Sequence, residues 1–336
     1  MARVARLAQP GGLDQLTVTD EQVEPRAPEQ GEIAVRIHAS SVNYHDYLVV
    51  SGQLRVTDGR VPMSDGAGEV IAVGAGVSEF KAGDRVIGTF FPNWQDGRSP
   101  AQGFAFVPGE GIDGFAQEYV TAPTTSFTHA PQGYSHAEAA TLPCAGLTAW
   151  RALFVEGEVK PGDSVLVQGT GGVSIFALQL AKAIGATVVA TSSSAEKRDR
   201  LLAMGADHVI DYKSNEKWGG AVKAALGRGV DHVVEVGGAG TVAQSISACR
   251  GGGHIAGMRS LGGGVAPVPA MGIMAKQLRL TGITVGSRRQ QLDMVAGLNA
   301  LDLKPVIDRE FDLADIADAF RHQESGRHFG KIVLRV

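Results

Sequence analysis

Residues Ser164 to Gln168 read SVLVQ, a short apolar run that ends on Gly169-Thr170-Gly171-Gly172. Behind that turn Val173, Phe176, Ala177, Leu180, Ala181 and Ile184 recur at helical spacing. Strand, glycine turn and helix in succession can hold a dinucleotide. A pyrophosphate must approach the backbone closely, and glycine leaves that room. The helix N-terminus then offers unpaired N–H groups and the positive end of its dipole. Gly169, Thr170, Gly171, Gly172 and Val173 are therefore candidate phosphate contacts. The third glycine of the usual spacing is replaced by Ser174. Farther on, where a carboxylate would read a ribose 2′-hydroxyl, stands Thr191-Ser192-Ser193-Ser194, with Lys197 and Arg198 close behind. Small hydroxyls leave space for a 2′-phosphate, and cations neutralise it. The sequence favours NADP(H) over NAD(H), with Ser192, Ser193, Lys197 and Tyr212 around the 2′-phosphate.

These residues need a scaffold. From about residue 127 the pattern alternates strand and helix. Strands are expected at Ser164–Gln168, Thr187–Thr191, His208–Ile210, Val230–Val236, His254–Met258 and Leu278–Val285. Helices are expected at Ala195–Met204 and Trp218–Leu226. Parallel neighbours need crossover helices, so this is an α/β, doubly wound parallel sheet. Ligands bind such sheets at the carboxyl ends of the strands. That places Val236, Gly237, Met258 and Val285 beside the glycine turn as cofactor candidates. Residues 1 to about 126 instead read as short strands with frequent glycine turns, including Ile33–Ala39, Gly68–Gly74 and Phe80–Gly88. That pattern suits a barrel-like β domain. The segment from Pro92 to Gly114 has little periodicity and is expected as a surface excursion.

Composition narrows the classes. A formal charge of −4 with mixed signs gives no nucleic-acid footprint. Two cysteines, Cys144 and Cys249, do not make a disulfide framework and suit a reducing compartment. No run of about 18 apolar residues implies a membrane span. The N-terminal stretch lacks an apolar signal-peptide core. A cytoplasmic protein is expected.

Further motifs extend the reading. They are Val42-Asn43-Tyr44-His45-Asp46, Ser64-Asp65-Gly66-Ala67-Gly68-Glu69-Val70, Phe80-Lys81-Ala82-Gly83-Asp84-Arg85-Val86, and the stretch Ala139 to Ala149, AATLPCAGLTA. With the GTGGVS turn and Leu202-Ala203-Met204-Gly205-Ala206-Asp207, they resemble the medium-chain dehydrogenase/reductase superfamily over essentially the whole chain. The resemblance implies a discontinuous GroES-like β-barrel domain, residues 1–126 and 287–336, around a Rossmann domain, residues 127–286. It adds Thr148, Gly286 and Lys331 as cofactor contacts.

Zinc-dependent alcohol dehydrogenases of that superfamily hold a catalytic metal through Cys, His and Cys. On this chain those places fall on Asn43, Ser64 and Cys144. Zinc prefers thiolate, imidazole or carboxylate to neutral amide and hydroxyl. The segment from Pro92 to Gly114 has no cysteine for a structural zinc. No metal is expected. The chain resembles the zinc-free, quinone-oxidoreductase-like branch, which implies NADPH-dependent reduction of quinones, enones, alkenals or similar activated double bonds. An alcohol or ketone oxidoreductase is the alternative. A non-catalytic NADPH-binding protein, structural or nucleic-acid-associated, is an alternative of another class. Asn43, His45, Asp46 and Tyr47 are the catalytic candidates. Asn43 would orient substrate or nicotinamide ribose, and His45 or Tyr47 would donate a proton. Asp46 either lines the site or holds local backbone. The apolar edge strand Leu278–Val285 invites a partner, and the resemblance implies a homodimer through it.

Overall fold

The structure is a computed structural model that describes residues 2–22, 25–100, 102–258 and 267–336. The chain divides into two compact units, Met1–Leu147 with Val285–Val336, and Thr148–Thr284. In chain order its strands are β1 (Ala2–Leu7), β2 (Leu16–Glu21), β3 (Glu32–Ser41), β4 (Ala67–Val73), β5 (Arg85–Gly88), β6 (Tyr119–Pro123), β7 (Phe127–His129), β8 (Ser164–Gln168), β9 (Thr187–Thr191), β10 (His208–Ile210), β11 (Val230–Glu235), β12 (Cys249–Gly257), β13 (Arg279–Gly282), β14 (Ile307–Asp312) and β15 (Lys331–Arg335).

The first unit holds a seven-stranded sheet ordered β14-β15-β3-β4-β5-β7, with β6 also on β3, and a two-stranded β1-β2 ladder. Strand β3 carries two partners along one edge. Its N-terminal half pairs with β6, and its last residues, Ala39 to Ser41, pair with β15. That second pairing matters for the site, because it brings Lys331 at the start of β15 beside the loop that follows β3. Val4, Leu7, Val50, Met63, Leu313, Phe320 and Ile332 close one core of this unit. Ile33, Val35, Ile37, Val70, Phe115 and Phe127 close another.

The unit boundary lies later than the expected 126. Strand β7 pairs with β5, so residues 127–147 belong to the β unit. The stretch expected as a surface excursion also contributes to packing, since Trp94 and Val107 are buried. The stretch Phe80–Gly88 folds as the turn and strand expected of it, with Arg85–Gly88 pairing to β4 and β7.

The second unit is a six-stranded sheet ordered β10-β9-β8-β11-β12-β13, with every pair parallel. Strand β8 is buried along its whole length, as expected for a parallel strand covered on both faces. The order turns back between β8 and β11, which makes the end of β8 the topological switch point of a doubly wound sheet.

Candidate functional site

The glycine turn closes directly behind β8. Gly169 sits at φ +68°, a left-handed conformation that favours glycine. Gly171 caps the helix Gly172–Ala183 without a side-chain hydrogen bond, leaving first-turn N–H groups available. A Cβ built on Gly169 or Gly171 would meet nothing within 4 Å. The room beside the backbone is therefore not needed by the protein's own packing, which fits a phosphate-bearing dinucleotide. Ser174, at the place of the third glycine, is buried and turns its hydroxyl back to donate to the carbonyl of Gln168 at 2.6 Å. It ties the helix to the strand end rather than obstructing the turn.

Glu235, at the end of β11, was not legible as a site residue. Its Oε1 accepts from the N–H groups of Gly237 and Gly238, both at 2.8 Å, and from the Thr241 hydroxyl at 2.5 Å. Its Oε2 accepts from Gln168 Nε2 at 2.8 Å and from the Ser245 hydroxyl. One buried carboxylate thus fixes the loop after β11 against the last residue of β8. Val236 lies one residue beyond β11, and Met258 closes β12 through its N–H to the Glu235 carbonyl at 2.9 Å.

At the end of β9, Ser192 is buried and Ser193 donates its hydroxyl to Tyr212 Oη at 3.2 Å. Lys197 lies in the first turn of the helix Ala195–Ala203, whose cap is Ser194. Arg198 pairs with Asp211 at 3.0 Å. Thr148 is buried at the start of this unit. Val285 and Gly286 fall in the first unit, with Val285 at φ +47°.

In the first unit the polar run opens the helix Tyr44–Val50. Asp46 is buried and accepts from the N–H of Asn43 at 3.0 Å and of Ser64 at 2.8 Å. It therefore stitches the helix start to the loop before β4. Burial pushes its carboxyl up to about 6, against the Ser64 hydrogen bonds and the charge of Lys331. Asp65, fully buried beside it, is likewise pushed up to about 6 by burial, with Lys331 opposing and Asp46 reinforcing. Asn43 Nδ2 donates to Asp65 Oδ2 at 2.8 Å, and Ser41 Oγ donates to the same oxygen at 2.6 Å. Lys331 Nζ donates to the Val42 carbonyl at 2.8 Å and to Asn43 Oδ1 at 2.5 Å, and lies 3.7 Å from Asp65 Oδ2. Lys331 is only 3% exposed and is bonded within this cluster.

The two other catalytic candidates point to different partners. His45 Nε2 lies 3.3 Å from Glu110 Oε2, with the ring against Phe90. The Tyr47 hydroxyl donates to Glu324 Oε1 at 2.7 Å, which raises its pKa and makes it a poorer proton donor than expected.

The donor set does not fit zinc. The Asn43 amide oxygen already accepts from an ammonium, Ser64 offers a hydroxyl, and burial raises the Cys144 thiol well above its ordinary range, with Asp65 and Asp46 adding to the effect. Among the described residues no group of three or more His, Cys, Asp or Glu is arranged to hold a metal ion. No helix among them is long and apolar enough to cross a membrane.

Comparison with known proteins agrees with this fold. Residues 29–132 match the alcohol dehydrogenase GroES-like domain, and residues 172–299 match the zinc-binding dehydrogenase domain. A zinc-type alcohol dehydrogenase-like protein of Schizosaccharomyces pombe is 41% identical, over 97% of this chain and 96% of that one. A solved structure of a putative alcohol dehydrogenase from Sinorhizobium meliloti 1021 is 41% identical with a TM-score of 0.93, covering 100% of this chain and 98% of that one. A mycobacterial protein solved in complex with NADPH is 27% identical with a TM-score of 0.82, covering 100% of both chains. The chain belongs to the medium-chain dehydrogenase/reductase superfamily. It is an oxidoreductase of that superfamily, which uses a nicotinamide cofactor.

Proposed function

We propose that this protein is an NADPH-dependent oxidoreductase that reduces quinones, enones, alkenals or related activated double bonds without zinc. The observation that carries the reading is the cluster at the three metal-ligand places: an amide bonded to an ammonium, a hydroxyl and a thiol kept neutral by burial. Such a set gives a reacting carbonyl no Lewis acid. Reduction at a conjugated carbon demands less, because negative charge spreads over an enolate or hydroquinone that hydrogen bonds can stabilise.

The bound nicotinamide would supply the hydride. The chain's own residues bind and orient. Gly169, Thr170, Gly171, Gly172 and Val173 would receive the pyrophosphate. Ser192, Ser193, Lys197 and Tyr212 would receive the 2′-phosphate. The missing carboxylate at the end of β9 supports this choice, as does the NADPH complex of the mycobacterial relative. His45, close to the Glu110 carboxylate, is better suited than Tyr47 to pass a proton to the reduced acceptor. A homodimer through β13 is part of the same reading: β13 is an edge strand, and Leu280 on it is 42% exposed.

NADPH consumption on a matched pair, an enone and its saturated ketone, tests the reading. Loss of several kcal/mol of metal stabilisation for the ketone translates into a preference of at least about a hundredfold in kcat/KM. A saturated ketone or alcohol as the better substrate would leave the oxidoreductase class intact and defeat the double-bond assignment.

A further inference from the structure

The cluster around Asn43 contains more than a lost metal site. Two carboxylates, Asp46 and Asp65, lie buried within it at 1% and 0% exposure. Lys331 is the ammonium that answers them. It reaches the cluster because Val333, two residues farther along β15, pairs with Ser41 of β3. Asn43 joins all three charged groups: Oδ1 accepts from Lys331, Nδ2 donates to Asp65, and the backbone N–H donates to Asp46. With the oxygen held by a donor-only group and the nitrogen by an acceptor, the amide cannot flip. Asp65 Oδ1 is buried without a hydrogen-bond partner, so the charge balance of this carboxylate leans on the nearby ammonium.

We propose that Lys331 serves as a fixed internal cation at the place where zinc-dependent relatives hold their metal, and that it is a positioning residue that orients the Asn43 amide for hydride transfer. A divalent ion on Asn43 Oδ1 would have to expel an ammonium 2.5 Å away or sit against its charge. Expelling it would strand Asp65 and the Val42 carbonyl. The same lysine therefore closes the site to zinc and replaces the metal's ordering of the polar wall.

This inference rests on the oxidoreductase reading, and its test is independent of which acceptor is reduced. Lys331→Met keeps the length of the stem and removes the charge, but leaves Asp65 uncompensated and can fail to fold. The double variant Lys331→Met with Asp65→Asn removes one charge of each sign and keeps the shape. Activity on whichever quinone, enone or ketone the wild type reduces is read as separate kcat and KM values, with circular dichroism to verify folding. The folded double variant should lose about tenfold to a hundredfold in kcat, the cost of a misplaced orienting group, while KM for NADPH stays within about threefold. Lys331→Arg, which keeps the charge, should recover part of that loss. A folded double variant with kcat within about threefold of wild type would overturn the positioning role. A second arm uses no substrate. Wild-type protein titrated with Co²⁺ should develop no thiolate-to-cobalt charge-transfer absorption, because Cys144 is not a ligand while Lys331 is in place. A stoichiometric band of that kind, abolished by Cys144→Ala, would overturn the closed site whatever the acceptor.

Discussion

Gly171→Ala separates the ligand's demand for space from the protein's. Gly171 has φ −74° and ψ 173°, a conformation any residue adopts, and a Cβ there would meet nothing within 4 Å. The folded protein should therefore tolerate the methyl group, and stability should stay level or rise by about 0.4–1 kcal/mol as the unfolded chain loses freedom. A bound pyrophosphate would meet that methyl group. Losing one charge-assisted hydrogen bond between a first-turn N–H and a phosphate oxygen costs about 1.5–3 kcal/mol. That converts to roughly a 10- to 150-fold rise in the Kd of NADPH. Gly169→Ala is the contrasting case. Its φ of +68° makes the substitution strained in the free protein, at about 1–2 kcal/mol, so its Tm should fall. Fluorescence titration with NADPH, paired with thermal unfolding, reads both quantities. If Gly171→Ala binds NADPH within about threefold of wild type, the phosphates do not lie against this turn and the reasoning fails.

Three other outcomes follow from named contacts. Lys197→Ala should weaken NADPH binding by about 1–3 kcal/mol and affect NADH little; equal losses for both, or a wild-type preference for NADH, would remove the 2′-phosphate assignment. Leu280→Asp should convert a dimer to a folded monomer in light scattering, since Leu280 is 42% exposed on the edge strand, and a wild-type monomer at micromolar concentration would contradict the pairing. Burial holds the His254 imidazole down to about 4, with Arg279 and His232 acting the same way, so the folded-state value lies below the ordinary 6.5. Its contribution to stability is then full above about pH 6.5 and lost as pH falls toward 4. His254→Asn should flatten the fall of Tm over that window, and an unchanged slope would show that His254 does not contribute.

The Rossmann half was largely legible because its signals are local. Strands Ser164–Gln168, Thr187–Thr191 and His208–Ile210 fall where their apolar runs stand, and the glycine turn lies where backbone must stay open. Strand ends were less so: Val230–Val236 stops at Glu235, because that carboxylate turns the chain by binding the N–H groups of Gly237 and Gly238. Glu235 carries no spacing signal for a related reason, since one of its partners, Gln168, lies 67 residues away. A charged residue closing an otherwise apolar strand was the available signal. In the β unit the contacts that decide each side chain's role are longer still. Tyr47 meets Glu324 across 277 residues, and Lys331 meets Asn43 across 288. Pairing of β15 with β3 creates the second contact, and no spacing within either segment announces it.

The most direct measurement follows the hydride itself. NADPH carrying deuterium at the transferable C4 position is incubated with an α,β-unsaturated ketone, and the product is analysed by NMR. Without a Lewis acid on the carbonyl, deuterium should appear on the β-carbon and a solvent proton on the α-carbon, with the ketone retained. Deuterium on a carbinol carbon, with the double bond intact, would mean direct carbonyl reduction and would contradict the central claim.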